Sequence, residues 1–268
     1  MDFCKGKPRI GEKPEQLMEI EADWAKWYDG DNNCEFEIHA SPWLERCINR
    51  VTDGKTGKKW FVPLCEKSPT MKWLYDHGDD VIGVELVGKA IEKFFDTYDM
   101  KYTKSAIHQL PYACLYQNDD KRVNIFKCNI FDVTKELIGG PVDAVWDRGS
   151  LQDIDHKDRP RYGEIIMSVL KPEGKILAET FEVIDGGIDQ TTSPNEARGE
   201  DDRGRDTMPS SEHTPHSVNA ADFKRIYGER CDIEVLAEEY WDSDHKAVDK
   251  EEPFSYINTI RLISFTPV

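Results

Sequence analysis

The chain has 268 residues, 38% hydrophobic and 32% charged, enough apolar material for one large α/β domain or two small ones. Its 52 acids against 35 bases give a net charge of −17, which repels nucleic acid and anionic membrane and argues against either as a partner. No run approaches the roughly 18 apolar residues of a membrane span, and Met1 to Glu21 lacks the apolar stretch of a secretory leader.

The seven cysteines are odd in number and form no Cys-x-x-Cys pair. That pattern favours free thiols in a reducing compartment, the cytoplasm, over disulfides or zinc. His213 and His216 have no Cys or His partner at ligand spacing, so no metal is expected.

Residues 1–20 are polar and interrupted by Gly6, Pro8, Gly11 and Pro14, and read as a flexible arm. Glu19 to Tyr28 suits a short helix carrying Trp24 and Trp27. A second helix is expected over 41–51, with Ser41 as N-cap and Pro42 in its first turn. The first strand is expected at 60–65, a helix at 69–77, the second strand at 81–86 and a helix at 88–98. Residues 112–117 and 123–131 read as an antiparallel pair around Asn118-Asp119-Asp120-Lys121. A strand at 142–147, a helix at 158–170 and a strand at 175–183 follow. Residues 185–216 are almost devoid of apolar side chains, and so long a loop in a compact domain is disordered or functional. A helix capped by Asn219, with Asp222 at its third position, precedes two closing strands at 231–239 and 256–266.

Strands alternating with helices predict a mostly parallel sheet with helices on both faces. The two consecutive terminal strands predict an antiparallel edge. Nothing marks a second domain in residues 1–268. In such sheets ligands bind at the carboxyl ends of the strands. Glu85 closes the second expected strand twenty positions after Cys65 closes the first. That is where nucleotide-binding folds place an acid on ribose hydroxyls, so a nucleoside-containing cofactor is expected. The absence of Gly-x-Gly-x-x-Gly after the first strand argues against a dehydrogenase. Asp147 and Arg148, at the end of another strand, are either a structural ion pair or part of the reacting centre.

Five blocks then occur in a recognisable order: Pro63-Leu64-Cys65-Glu66-Lys67, Met71-Lys72-Trp73, Gly83-Val84-Glu85, Cys128-Asn129-Ile130-Phe131-Asp132 and Trp146-Asp147-Arg148-Gly149. Together they resemble the thiopurine S-methyltransferase family. The resemblance implies a Rossmann-like class I methyltransferase with a seven-stranded, mostly parallel sheet whose last strand is antiparallel. It also implies S-adenosyl-L-methionine as methyl donor. By the same resemblance Leu64 meets the methionine end of the donor, Glu85 its ribose, and Asn129 and Ile130 its adenine. Trp24 and Trp27, within a covering segment over 21–51, lie over it, and Arg148, with Asp147, stands near the reacting centre. Ile38, His39 and the 185–216 loop with His216 border the acceptor.

The chain departs from the family pattern in four places. Glu66 replaces a glycine, at a cost of roughly 1–2 kcal/mol if the turn needs a positive φ, and its carboxylate is a candidate for the donor's ammonium. The two tryptophans are three apart rather than four. Asp244 replaces a basic residue before His245-Lys246, and the 185–216 loop is long. Because a soft thiolate needs little base catalysis and no acid–base dyad is evident, a small-molecule thiol or a related selenium nucleophile is the expected acceptor of a monomeric enzyme. The open alternatives are a small-molecule N-methyltransferase on the same fold and a cofactor-binding protein without turnover.

Overall fold

The computed structural model describes residues 14–28, 39–184, 217–242 and 255–266. The 185–216 loop, Ile38, His213, His216 and Asp244 therefore lie outside the described residues. Seven helices and nine strands are described. The strands are β1 (Lys59–Val62), β2 (Asp80–Glu85), β3 (Tyr102–Ala106), β4 (Cys114–Asn118), β5 (Val123–Lys127), β6 (Val142–Arg148), β7 (Leu170–Ile184), β8 (Cys231–Asp242) and β9 (Ser255–Phe265). They form one sheet in the order β3-β4-β5-β2-β1-β6-β7-β9-β8.

The strands β5, β2, β1, β6 and β7 pair in parallel. β4 and β9 run against them, and β3 and β8, antiparallel to those two, point back along the core direction. The stretch from β5 to β8 is the seven-stranded layout expected, with the last strand of the chain reversed. The β3–β4 pair adds two strands at the β5 edge, so the sheet has nine strands rather than seven. β3 was not anticipated because its residues Tyr-Thr-Lys-Ser-Ala are mostly exposed. An edge strand with one neighbour has no buried face to impose an apolar alternation.

Alternate side chains of the core strands feed two layers. Phe61, Ile82, Val145 and Ile176 pack with α6 (Arg159–Val169) and α7 (Ala220–Tyr227) through Tyr162, Ile166, Phe223 and Ile226. Trp60, Val81, Trp146 and Leu177 pack on the other face against Leu44 of α2 (Pro42–Thr52), Met71 of α3 (Pro69–Asp76) and Phe94 of α4 (Gly88–Thr97). Trp60 and Trp146 are fully buried in the core, whereas Trp73 is only half-buried and stacks on His77 with ring centroids 5.2 Å apart. No helix among the described residues is long and apolar enough to cross a membrane.

The caps follow the sequence. Ser41 Oγ accepts the Trp43 N–H at 3.2 Å, and Asn219 and Asp222 form a capping box at the start of α7. α1 (Pro14–Trp27) opens five residues before the expected Glu19, on a proline suited to a first helical turn, so residues 14–20 are helical rather than part of the expected arm. β1 ends at Val62, three residues before the expected Cys65, because the chain turns there. β7 begins at Leu170 and carries a bulge opposite Val142 and Ala144, which takes up the Lys171-Pro172-Glu173-Gly174 break. A short helix, α5 (Ser150–Asp153), follows β6 directly and was not expected.

Candidate active site

β1 does not run straight into α3. Leu64 and Glu66 adopt left-handed backbone, with φ of +44° and +48°, which turns the chain sharply over the end of β2. The conditional cost at Glu66 therefore applies: a non-glycine residue here costs about 1–2 kcal/mol. The Cys65 N–H donates to Val84 O at 2.9 Å, and its thiol sits over Gly83. A Cβ at Gly83 would come within 2.6 Å of Cys65 Sγ and 3.0 Å of Met71 Sδ. Glycine is required there so that the turn can lie flat on the strand. Cys65 is buried, and burial raises its thiol well above its ordinary value, so it packs rather than reacts.

The turn and the ends of β2 and β5 open onto a cleft of about 670 Å³, counting its mouth. Six of the residues expected at the donor line it: Trp24, Leu64, Glu66, Glu85, Asn129 and Ile130. Glu85 is 7% exposed. Its Oε1 accepts the Val87 N–H at 2.8 Å and its Oε2 accepts the Glu66 N–H at 3.1 Å. Burial pushes its carboxyl up to about 7 against those two bonds, with the nearby charge of Asp153 adding to the rise. Asn129 Oδ1 accepts the Phe131 N–H at 3.1 Å and so starts the short helical turn Ile130–Asp132 that lays Ile130 on the wall. Asp132 accepts the Tyr112 hydroxyl.

The helix α1 is fastened beside this cleft. Glu21 accepts the Gly88 N–H at 3.2 Å at the start of α4 and pairs with Lys127 of β5 at 2.6 Å. That places Trp24 and Tyr28 on the wall. Trp27 ends the helix, and its side chain lies outside the described residues. Tyr28, Val87 and Ile154 also line the cleft and were not among the expected site residues, and Asp153, a carboxylate the sequence offers as a possible base, lines it too. Asp153 arrives through α5, whose four residues are too few for a periodic signal.

Two expected residues stand apart from this wall. Arg148, at the end of β6, pairs through Nε with Glu179 of β7 at 3.4 Å. Glu179 is nearly buried, and it also accepts Ser41 Oγ–H at 2.6 Å and Asn258 Nδ2–H at 3.2 Å. Four separate elements, β6, β7, β9 and the cap of α2, thus meet around Glu179 at the strand end; His39, two residues before Ser41 in the chain, is exposed. Asp147 is fully buried, with Oδ2 accepting the Tyr162 hydroxyl at 2.8 Å and Oδ1 lacking a hydrogen-bond partner. Burial pushes it up to about 6. The carboxyl has no exposed surface and pairs with Tyr162, whereas Arg148 pairs with Glu179, so the two neighbours do not form an ion pair with each other.

The family model for thiopurine S-methyltransferase matches residues 20–186, more than half of the chain. The chain belongs to that family. It is 31% identical over 221 residues to thiopurine S-methyltransferase of Equus caballus, covering 82% of this chain and 80% of that one. With the Bos taurus enzyme it shares 24% over 241 residues, covering 90% and 88%. Among solved structures, 1,6-didemethyltoxoflavin-N1-methyltransferase of Burkholderia thailandensis superposes with a TM-score of 0.53 at 11% identity, covering 96% of this chain and 93% of that one. That likeness shows the class I methyltransferase fold.

Membership makes this chain an S-adenosylmethionine-dependent methyltransferase, and the cleft fits such a cofactor. It offers a buried carboxylate for hydroxyls at a strand end, an apolar shelf at Ile130 and Val87, and acids without a lysine, arginine or histidine among the described lining residues. Those features suit a cationic nucleoside.

Proposed function

We propose that the protein methylates a small-molecule thiol, or a related selenium nucleophile, with S-adenosylmethionine as donor. The observation that carries the reading is the convergence of Glu85, Asn129, Ile130, Leu64 and Trp24 on one cleft at the carboxyl ends of β1, β2 and β5. In this reading Glu85 takes the ribose hydroxyls, Asn129 and Ile130 bracket the adenine, and Leu64 meets the methionine end. Trp24 and Trp27 cover the donor. The bound donor supplies a methyl group on a positively charged sulfur, an already good leaving group. What remains for the protein is alignment and exclusion of water.

Arg148 stands at the end of β6, level with the turn after β1, and its fixed guanidinium orients the acceptor beside the cleft. Its partner Glu179 restrains the guanidinium and offsets its charge. The acceptor thiolate forms the new carbon–sulfur bond in line with the one that breaks, so no proton moves in that step. Ile38, His39 and His216 remain the proposed border of the acceptor pocket. The acidic surface and the odd cysteine count support a cytoplasmic monomer with no nucleic-acid partner.

Calorimetric titration with S-adenosylmethionine and S-adenosylhomocysteine tests the donor half. Incubation with a panel of aryl thiols, selenols and amines, read by mass spectrometry, tests the acceptor half. Micromolar binding and S-methyl products are expected. Donor binding with only N-methyl products would overturn the thiol reading, and binding without any product would leave a binding protein.

A further inference from the structure

β1 and β6 are neighbours in the sheet. The first leads into the turn of Leu64, and the second carries Arg148 at its end. Their register pairs Trp60 with Ala144 and Phe61 with Val145, so the pairing stops short of both. On its other flank β1 stays paired as far as Val62 with Gly83, and the Cys65 N–H continues onto Val84 O at 2.9 Å. Backbone thus holds the turn to β2. On the β6 side the link is a side chain: the Ser150 hydroxyl donates to Pro63 O at 3.1 Å. Ser150 is 1% exposed and Pro63 is buried, so the bond is made away from water. The serine is itself well held. It opens α5 after Gly149, whose φ of +79° turns the chain out of β6. The Gly149 N–H donates to Glu179 O at 3.4 Å, and Leu151 is fully buried. Ser150 also lies against Asp147: burial raises that carboxyl, and Tyr162 and Ser150 oppose the rise.

Resting on the proposed transfer at this cleft, we infer that Ser150 is a positioning residue for that step. Its hydroxyl sets the spacing between the donor wall at Leu64 and the guanidinium of Arg148. Pro63 immediately precedes Leu64, and Arg148 stands two residues before Ser150. Ser150 does not line the cleft, so it acts through the two elements it joins. An in-line transfer needs its reacting atoms about 3–3.5 Å apart, and a drift of one wall against the other is felt in rate before affinity. Donor affinity rests on Glu85, which backbone N–H groups of Val87 and Glu66 hold from the β2 side.

The test is the single-turnover methylation rate of the full chain, which reads the transfer step itself, with S-adenosylmethionine and 4-nitrothiophenol as probes. Calorimetry with S-adenosylhomocysteine runs beside it. Ser150→Ala removes the hydroxyl and is expected to slow transfer about tenfold, while S-adenosylhomocysteine affinity stays within about twofold of wild type. Ser150→Cys keeps a similar volume and a weak donor, and is expected to fall between alanine and wild type. It carries the same comparison if the alanine variant does not fold.

A lowered melting temperature with the transfer rate of the folded variants unchanged would make the serine a fold contact only, and would overturn the inference. A loss of S-adenosylhomocysteine affinity as large as the loss of rate would overturn it too, since Ser150 would then support the donor wall alone. In both cases the wild type remains active and the proposed function stands. A wild type that methylates neither this thiol nor any other acceptor of the panel would remove the proposed transfer, and this inference with it.

Discussion

Glu85→Gln separates the ribose role from mere packing, because the geometry at this residue is two-sided. Oε1 faces the Val87 N–H and Oε2 the Glu66 N–H. A carboxylate accepts from both, but an amide must turn its NH₂ toward one of the two donors. That leaves a buried N–H unpaired at a cost of about 1–3 kcal/mol. That cost falls on the fold with or without donor, whereas donor affinity loses the charge-assisted bond to a ribose hydroxyl, about 1.5–3 kcal/mol. Each 1.4 kcal/mol is about tenfold in affinity, so donor binding should weaken at least about tenfold. The wild type carries its own control. With its carboxyl pushed up to about 7, Glu85 is about one-tenth ionised at pH 6 and about nine-tenths at pH 8. If the ionised form holds the ribose, affinity should rise roughly tenfold across that interval. The probe of choice is 5′-methylthioadenosine, whose lack of an ammonium leaves Glu85 as the titrating partner, followed by calorimetry at both pH values. An affinity flat with pH, together with a Gln variant within twofold of wild type, would refute the ribose assignment.

Asp147→Asn should stabilise the protein at alkaline pH. Burial raises Asp147 from an ordinary value of 3.8 to about 6, so the folded chain holds that proton more tightly than the unfolded chain. The penalty for ionising it is absent below pH ~4, grows between ~4 and ~6 and is complete above, reaching about 3 kcal/mol at most. Thermal melts of wild type and variant should therefore coincide near pH 4 and diverge at pH 8, with the variant higher; the opposite order at pH 8 would contradict the burial argument. Ser41→Ala removes a helix cap and the 2.6 Å bond to Glu179, and should cost about 1–3 kcal/mol in denaturant melts while raising the KM for the acceptor more than that for the donor. Equal effects on both KM values would detach Glu179 and Arg148 from the acceptor. Arg159 is fully buried on Asp222 at 3.0 Å and also donates to Ser217 O at 3.2 Å. Arg159→Met leaves Asp222 with Arg225 at 2.9 Å, the Asn219 N–H at 3.2 Å and His156 at 4.0 Å, and should cost about 3 kcal/mol, the low end for breaking a buried pair. A cost under ~1 kcal/mol would show that Arg225 replaces it fully.

The core of the fold was legible because its strands are parallel and buried on both faces. Val81 to Val84 and Val142 to Trp146 therefore read as short apolar runs closed by polar residues. Five of the cleft's lining residues, Leu64, Glu66, Glu85, Asn129 and Ile130, were legible for the same reason: they stand at or just after strand ends, which are marked in sequence by the change from apolar to polar. The misses have a common physical origin. β3 has only an exposed edge position, and α5 has only four residues, so neither carries a period. Asp147 and Arg148 have different partners because alternation along β6 is a matter of faces, and sequence adjacency does not put two side chains on one side of a sheet.

That alternation organises the whole site. Along β6, Asp147 turns into the layer beneath α6 and α7, where Tyr162 meets it, while Arg148 turns outward to Glu179 on the neighbouring strand. On the other side of β1, the left-handed turn at Leu64 and Glu66 directs the chain over β2 and closes the donor cleft against Glu85. The two arrangements meet at the end of β1, because β1 pairs with β2 on one side and β6 on the other. β1 is thus the topological switch point of the sheet, the position at which an open α/β fold can hold a donor to one side and an acceptor to the other. In the proposed function the acids lie on the donor side and the Arg148 guanidinium on the acceptor side, so that a cationic donor and an anionic thiolate would be drawn to adjacent but separate places.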